Sequence, residues 1–77
     1  MNQAILFNED LIFDAQQNAW CFTALISGQL ITIYFHSQQL KKLTSIDSFT
    51  KFDLEETVEI WLENNELEGN VIHIKTR

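Results

Sequence analysis

Three side chains in the sequence have the reactivity that catalysis or metal binding most often uses: Cys21, His36 and His73. The histidines titrate near neutral pH, and the cysteine is the only thiol of the chain. Together they could supply nitrogen and sulfur ligands to zinc, but their spacing matches no zinc motif and a fourth ligand would have to come from elsewhere. The sequence also contains no nucleophile elbow and no glycine-rich phosphate loop. We therefore assign no catalytic, cofactor-binding or metal-binding residue and no cofactor, and keep these three side chains as the candidates for a small metal-binding or thiol-dependent enzyme.

A β-hairpin is expected to position two of these side chains. Two runs rich in aromatic and β-branched residues, reaching together from Asn18 to His36, flank the dipeptide Ser27-Gly28. This spacing is typical of a hairpin with a two-residue turn. A three-residue loop with a glycine bulge would shift the register and mix polar and apolar side chains on both faces. The sequence therefore predicts the two-residue turn.

The predicted register separates a dry face from a mixed face. The dry face takes the aromatic and aliphatic residues Trp20, Phe22 and Phe35 and their neighbours. The mixed face takes the chemically capable side chains together with several apolar ones: Cys21, Tyr34, His36, His73, Leu25, Leu30 and Val71. We interpret it as the ordinary solvent-facing side of an antiparallel sheet, with a partner surface as the alternative.

A short helical turn and a longer helix are expected after the hairpin. Ser37 is a good N-cap, and two lysines precede Leu43, which predicts a helical turn from about Ser37 to Leu43. Asp53 and Glu56 have the spacing of a capping box. The sequence therefore predicts a main helix from about Asp53 to Leu67.

The main helix is predicted to be amphipathic. One stripe is apolar, and glutamates lie largely outside it. The stripe consists of Leu54, Val58, Trp61 and Leu62. Phe49 and Phe52 would fall on the opposite side if the helix continued backward, which predicts a break near Phe52.

These elements together predict an α+β fold. One or two short strands are expected near the N-terminus, and alternation after Gly69 predicts a last strand from Val71 to Lys75. We expect an antiparallel sheet built on the central hairpin, with the main helix packed on its dry face. The 77 residues, 45% of them hydrophobic, fit one domain over residues 1–77 with a real core.

The charge of the chain restricts its partners. Eleven acidic residues face five basic ones, giving a net charge of −6, and most of the acids lie in the second half. Nucleic acid is not an expected partner, because its binding needs clustered Lys and Arg. No apolar run is long enough to span a bilayer, so we expect no membrane association. A single cysteine and no export signal in residues 1–13 predict a cytoplasmic protein.

The order of these features carries a resemblance. The matching pieces run along nearly the whole chain, from an N-terminal strand through an aromatic strand and a glycine turn to a closing strand: Ile5-Leu6-Phe7, residues 19–24, Gly28, residues 31–33, Ser37 with Leu40, Phe52, Val58 and residues 69–74. In this order the chain resembles short bacterial proteins of the domain-of-unknown-function family numbered fourteen-eighty-eight. The glutamate-rich helix departs from that family, in which basic residues are more usual. The resemblance implies a small α+β fold and carries over no site.

The function suggested by these observations is a non-catalytic accessory or regulatory protein-interaction module. Its partner would be a second copy or a basic protein, bound through the open sheet face or the acidic helix.

Overall fold

The computed structural model describes residues 4–76, so the first three residues and the last residue of the expected 1–77 domain lie outside the described part. Within it, the elements follow in the order β1 (Ile5–Phe7), β2 (Ile12–Asp14), β3 (Ala19–Ile26), β4 (Gln29–His36), α1 (Gln38–Lys41), α2 (Ser48–Asn64) and β5 (Val71–Lys75). The predicted α+β class is confirmed.

The central hairpin of β3 and β4 has the predicted register. Ile26 pairs with Gln29, and Trp20 pairs with Phe35 at the far end. Ser27 and Gly28 both have positive φ, 52° and 83°, as a two-residue type I′ turn requires. The two-residue turn is thus confirmed.

The first two strands lie side by side on one edge of β3. β1 pairs with its second half and β2 with its first half, both antiparallel. Between them the chain leaves the sheet, and side chains supplement the backbone bond that the Asn8 N–H donates to the Thr23 carbonyl at 2.9 Å. The Asp10 carboxylate accepts hydrogen bonds from the backbone N–H and the hydroxyl of Thr23, and the Asn8 amide donates to the Thr23 hydroxyl at 2.9 Å. Asn8 and Asp10 therefore hold an interrupted edge strand in place.

The last strand corrects the prediction of a purely antiparallel sheet. β5 lies on the other edge and pairs with β4 in parallel, with Ile33 opposite Ile72 and Phe35 opposite Ile74. The strand order is β1 and β2, then β3, β4 and β5, so the sheet is mixed. A parallel neighbour needs a crossover connection, and the segment containing α1 and α2 supplies it.

The short helix α1 is fixed by its cap and by a core contact. The Ser37 hydroxyl accepts from the Leu40 N–H at 3.1 Å, which confirms the predicted N-cap. The Trp20 indole N–H donates to the Leu40 carbonyl at 2.8 Å. This buried bond joins α1 to β3 and satisfies the one polar atom of a core tryptophan.

The main helix α2 begins earlier than its predicted start. Asp47 is the N-cap and accepts from the Thr50 N–H at 2.8 Å, and the helix continues without interruption to Asn64. The capping box at Asp53 and the break near Phe52 were therefore wrong predictions, and the helix ends before Leu67. It is 17 residues long. Neither helix in residues 4–76 is long and apolar enough to cross a bilayer.

The core lies between α2 and one face of the sheet. Leu54 and Val58 from α2 pack with residues of β3, β4 and β5, among which Phe22 and Phe35 are almost fully buried. Trp61 and Leu62 pack against this cluster from its margin. The helix therefore covers the dry face, as predicted, and leaves the other face of the sheet without a covering element in the described chain.

Candidate functional site

The uncovered face of the sheet, called the open face below, gathers the chemically capable side chains. The strand registers place Cys21 beside Tyr34 and Tyr34 beside His73, while His36 lies two residues further along β4. The open face consists of four rows across the strands: Leu6, Leu25 and Leu30; Thr23, Thr32 and Val71; Ile12, Cys21, Tyr34 and His73; and Asp14 with His36 and Lys75. The alternation seen in the sequence thus brings the three candidates and Tyr34 to one side.

Three rings on this face are in direct contact. The rings of Tyr34 and His73 stack with centroids 5.1 Å apart and planes 16° from parallel. The His36 ring stacks on His73 at the same centroid distance, and 2.8 Å separates His36 Nε2 from His73 Nδ1. One imidazole N–H therefore donates to the other ring, an arrangement that requires at least one of the two rings to be neutral.

This contact affects the titration of His36. Partial burial lowers the pKa of His36, and the neighbouring His73, Lys41 and Lys75 lower it further. The ring is consequently neutral at physiological pH. An imidazole can accept a proton, but a general base also needs a bound substrate in a pocket, and this pair lies on the sheet surface.

The Cys21 side chain is buried, and its surroundings do not favour the reactive thiolate. Burial raises the pKa of its thiol, and the carboxylates of Asp14 and Asp10 raise it further. A nucleophilic cysteine needs the opposite environment, with positive charge and access to solvent. Cys21 is therefore a protonated thiol packed beneath the side chains of the open face.

The three candidates do not form a metal site in this structure. Among residues 4–76, no group of three His, Cys, Asp or Glu side chains is arranged to hold a metal ion. The histidine rings contact each other, but Tyr34 lies between the buried Cys21 thiol and His73 in their common row. The arrangement gives a paired imidazole and a separate thiol.

A shallow cleft of about 420 Å³ opens where the start of α2 meets the segment that precedes β2. Leu11, Trp20 and Ile46 contribute apolar walls, while Glu9 and Lys51 stand at its rim. Lys51 is already engaged, because its ammonium pairs with Glu55 and lies 4.9 Å from the centre of the Phe22 ring. The cation is therefore part of the core margin and is poorly placed to bind a ligand.

The second uncovered surface is the outer side of α2, called the helix face below. Phe49 is 82% exposed, Phe52 63% and Ile60 58%. Phe49 and Phe52 lie at one end, and Ile60 lies at the other end, of a stripe three helical turns long on the side of α2 that points away from the sheet. Exposed acids lie between and beside them: Asp53, Glu56, Glu59 and Glu63. The helix face is therefore an apolar stripe with an acidic surround.

Sequence reasoning did not find the helix face, although the signal was present. Two phenylalanines on the wrong side of an amphipathic helix were interpreted as a break in the helix, because large apolar side chains were assumed to be internal. Aspartate at position 47 is as good an N-cap as aspartate at position 53. Taking Asp47 as the cap would have predicted one continuous helix with exposed phenylalanines.

The fold and these surfaces define a small α+β domain with one long helix on a mixed sheet. This description agrees with a solved structure, a protein of unknown function from the DUF1488 family of Shewanella loihica PV-4. The two structures superpose with a TM-score of 0.67 at 29% sequence identity, and the match covers 96% of this chain and 94% of that one. The resemblance expected from the sequence is confirmed, and that protein is itself of unknown function.

No family model matches the chain, and no curated protein matches it either.

Proposed function

We propose that this chain acts as a single-domain, non-catalytic protein-interaction module, and that the helix face binds a protein partner carrying an apolar groove rimmed by Lys and Arg. The observation that carries the proposal is the exposure of Phe49 and Phe52 on a continuous helix. Exposed aromatic side chains on a rigid helix are typical anchors for helix-in-groove recognition.

The charges around the stripe select the partner. Asp53, Glu56, Glu59 and Glu63 surround the apolar side chains, and α2 contains only one base, Lys51, which is turned toward the core. A second helix face would meet this surface with like charge, whereas a basic rim would complement it. The same charges disfavour nucleic acid.

Two further expectations are part of this proposal. A cytoplasmic location is supported by the single free thiol of Cys21, which is buried. A homodimer through the open face was the other partner expected from the sequence, and it does not depend on the helix face. The thiol-dependent and metal-binding alternative is not proposed, because burial keeps the Cys21 thiol protonated and apart from the histidine pair.

The experiment compares capture by matched variants. Immobilised wild-type protein, a Phe49→Ser/Phe52→Ser variant and a Leu43→Ser control are exposed to lysate of the source cells, and the bound proteins are quantified by mass spectrometry. Leu43 is 44% exposed, but it belongs neither to α2 nor to a strand of the open face. We expect a partner that the control retains, that the double variant loses, and whose binding weakens with salt.

The captured protein is then purified and titrated against the same three variants. At least about a tenfold loss of affinity for the double variant is expected, since removal of a central aromatic anchor typically costs more than 1 kcal/mol. If no captured protein distinguishes the double variant from wild type, the proposal is wrong.

A further inference from the structure

The open face is unevenly charged in the direction that crosses the strands. At the β2 edge, Asp14 lies in the last row and the Asp10 carboxylate holds the Thr23 hydroxyl. At the β5 edge, Lys75 lies in the same row as Asp14. Lys41 and Lys75 are both close enough to lower the pKa of His36 in that row. The face is therefore acidic at one edge, basic at the other and uncharged between them.

We infer that the open face binds a second copy of this chain, sheet against sheet, about a two-fold axis that runs parallel to the strands between β3 and β4. This inference does not rest on the helix face, which lies on the opposite side of the sheet. The open face thus has one binding partner, a second copy of the chain, in one orientation.

The proposed axis brings complementary rows together. It places Leu25 of one copy over Leu30 of the other, and Thr23 over Thr32. It also places the acidic edge of each copy over the basic edge of the other, so that Asp14 faces the second copy's Lys75. Because the axis is two-fold, every such contact occurs twice.

The other simple orientation is electrostatically worse. An axis perpendicular to the strands would reverse the order of the rows, so that the row of Asp14, His36 and Lys75 in one copy would lie over the row of leucines in the other. Charges buried against apolar side chains without a partner cost free energy, and this cost selects the parallel axis.

The net charge of the chain does not prevent this contact. Six of its eleven acids lie in α2 or at its N-cap, in the layer that would point outward in both copies. Stacked layers lie about 10 Å apart, so the two helices would be roughly 30 Å apart, several Debye lengths at physiological salt. Their repulsion would be largely screened.

The size of the face predicts a weak dimer. Four neighbouring strand positions span about 19 Å, and four rows of alternate residues span roughly 20–25 Å, so the footprint is about 450 Å² for each copy. Two copies would bury roughly 900 Å², just under the threshold of about 1,000 Å² for specific interfaces. We therefore expect association in the range from about 10 μM to about 1 mM.

The test is sedimentation equilibrium over this concentration range with a charge-swapped pair. The Asp14→Lys variant would place two lysine pairs in contact, and the Lys75→Glu variant two acidic pairs, so each alone should dimerise at least about tenfold more weakly than wild type. In an equimolar mixture of the two variants every facing pair has opposite charge, and association should recover. Circular dichroism confirms that each variant is folded.

Two further variants locate the interface without altering charge pairs. Leu30→Asp should abolish association, and Phe49→Ser on the helix face should leave it unchanged. Wild-type protein that stays monomeric to about 1 mM would overturn the inference, because even a weak specific interface would be populated there. A dimer that resists Leu30→Asp, or one whose charge variants fail to recover on mixing, would also overturn it. None of these outcomes depends on whether the helix face captures a partner.

Discussion

Replacement of Phe49 by alanine tests the arrangement from which the proposed function follows. The side chain is 82% exposed, so less than a fifth of its surface is covered. A phenylalanine offers about 200 Å², and a fifth of this, at about 25 cal/mol per Å², corresponds to about 1 kcal/mol. The higher helix propensity of alanine offsets about 0.5 kcal/mol of that loss. We therefore expect Phe49→Ala to lower the free energy of unfolding by only about 0.5 kcal/mol.

The alternative structure predicts a much larger effect. If the chain broke near Phe52 and turned Phe49 into the core, the same substitution would cost roughly 3–5 kcal/mol. The matched control is Leu54→Ala, which removes a side chain that is 6% exposed and packs in the core. It should cost about 2–5 kcal/mol.

Urea and thermal unfolding, followed by circular dichroism, measure both variants. For a domain of this size about 1 kcal/mol shifts Tm by roughly 4–8 °C, so Phe49→Ala should lower Tm by about 2–4 °C and Leu54→Ala by about 10 °C or more. A Phe49→Ala variant that lost 3 kcal/mol or more would place this residue in the core and remove the basis of the helix face.

Three smaller predictions concern the turn, a core-margin lysine and the histidine pair. Gly28→Ala should lose about 1–2 kcal/mol in urea unfolding, because φ is 83° while no atom crowds the added methyl, and Gly28→Asn should lose less. Lys51→Met should unfold at nearly the wild-type urea concentration, whereas Lys51→Ala should unfold earlier, since the lysine stem covers Phe22. The pKa of His36 is lowered by folding, so its stabilising contribution should be complete above pH 6.5 and be lost as the pH falls from there through the folded pKa. Urea unfolding of wild type and His36→Gln between pH 8 and pH 5 measures how the free energy of unfolding depends on pH, and equal dependence in the two proteins would contradict the assignment to His36. The turn prediction would be wrong if Gly28→Ala were as stable as wild type. The lysine prediction would be wrong if the two Lys51 variants were equally stable.

The hairpin and the dry face could be predicted from the sequence because both are local. The spacing around Ser27-Gly28 fixes the register, and the register alone separates Phe22 from Cys21. The contact between His73 and His36 could not be predicted from the alternation of side chains along the strands alone. Alternation placed both on one side of the sheet, but only the pairing of β5 with β4 makes them neighbours.

The direction of β5 could not be predicted in this way. An alternating strand has the same pattern in either direction, and its orientation depends on how the crossover returns along the sheet. The predicted start of α2 was wrong for a different reason. Asp47 and Asp53 both offer a cap, and the assumption that Phe49 and Phe52 are internal selected the wrong one. The rule that large apolar side chains are buried fails where such side chains serve binding, and the two exposed phenylalanines are the case proposed for this protein.

The two proposed surfaces lie on opposite layers, and their combination has a consequence that neither has alone. A dimer through the open face would leave both helix faces exposed on its outer sides, roughly 30 Å apart if stacked layers are about 10 Å thick. A partner with one basic groove would bind each copy independently, and dimerisation would not alter its affinity. A partner with two grooves, or one that is itself a dimer of matching span, would gain from the effective concentration of the second site, by up to about 10²–10⁴-fold. Because the dimer is expected to be weak, such a partner would also drive its formation. Leu30→Asp should then reduce binding of a two-groove partner and leave that of a one-groove partner unchanged, whereas Phe49→Ser should weaken both.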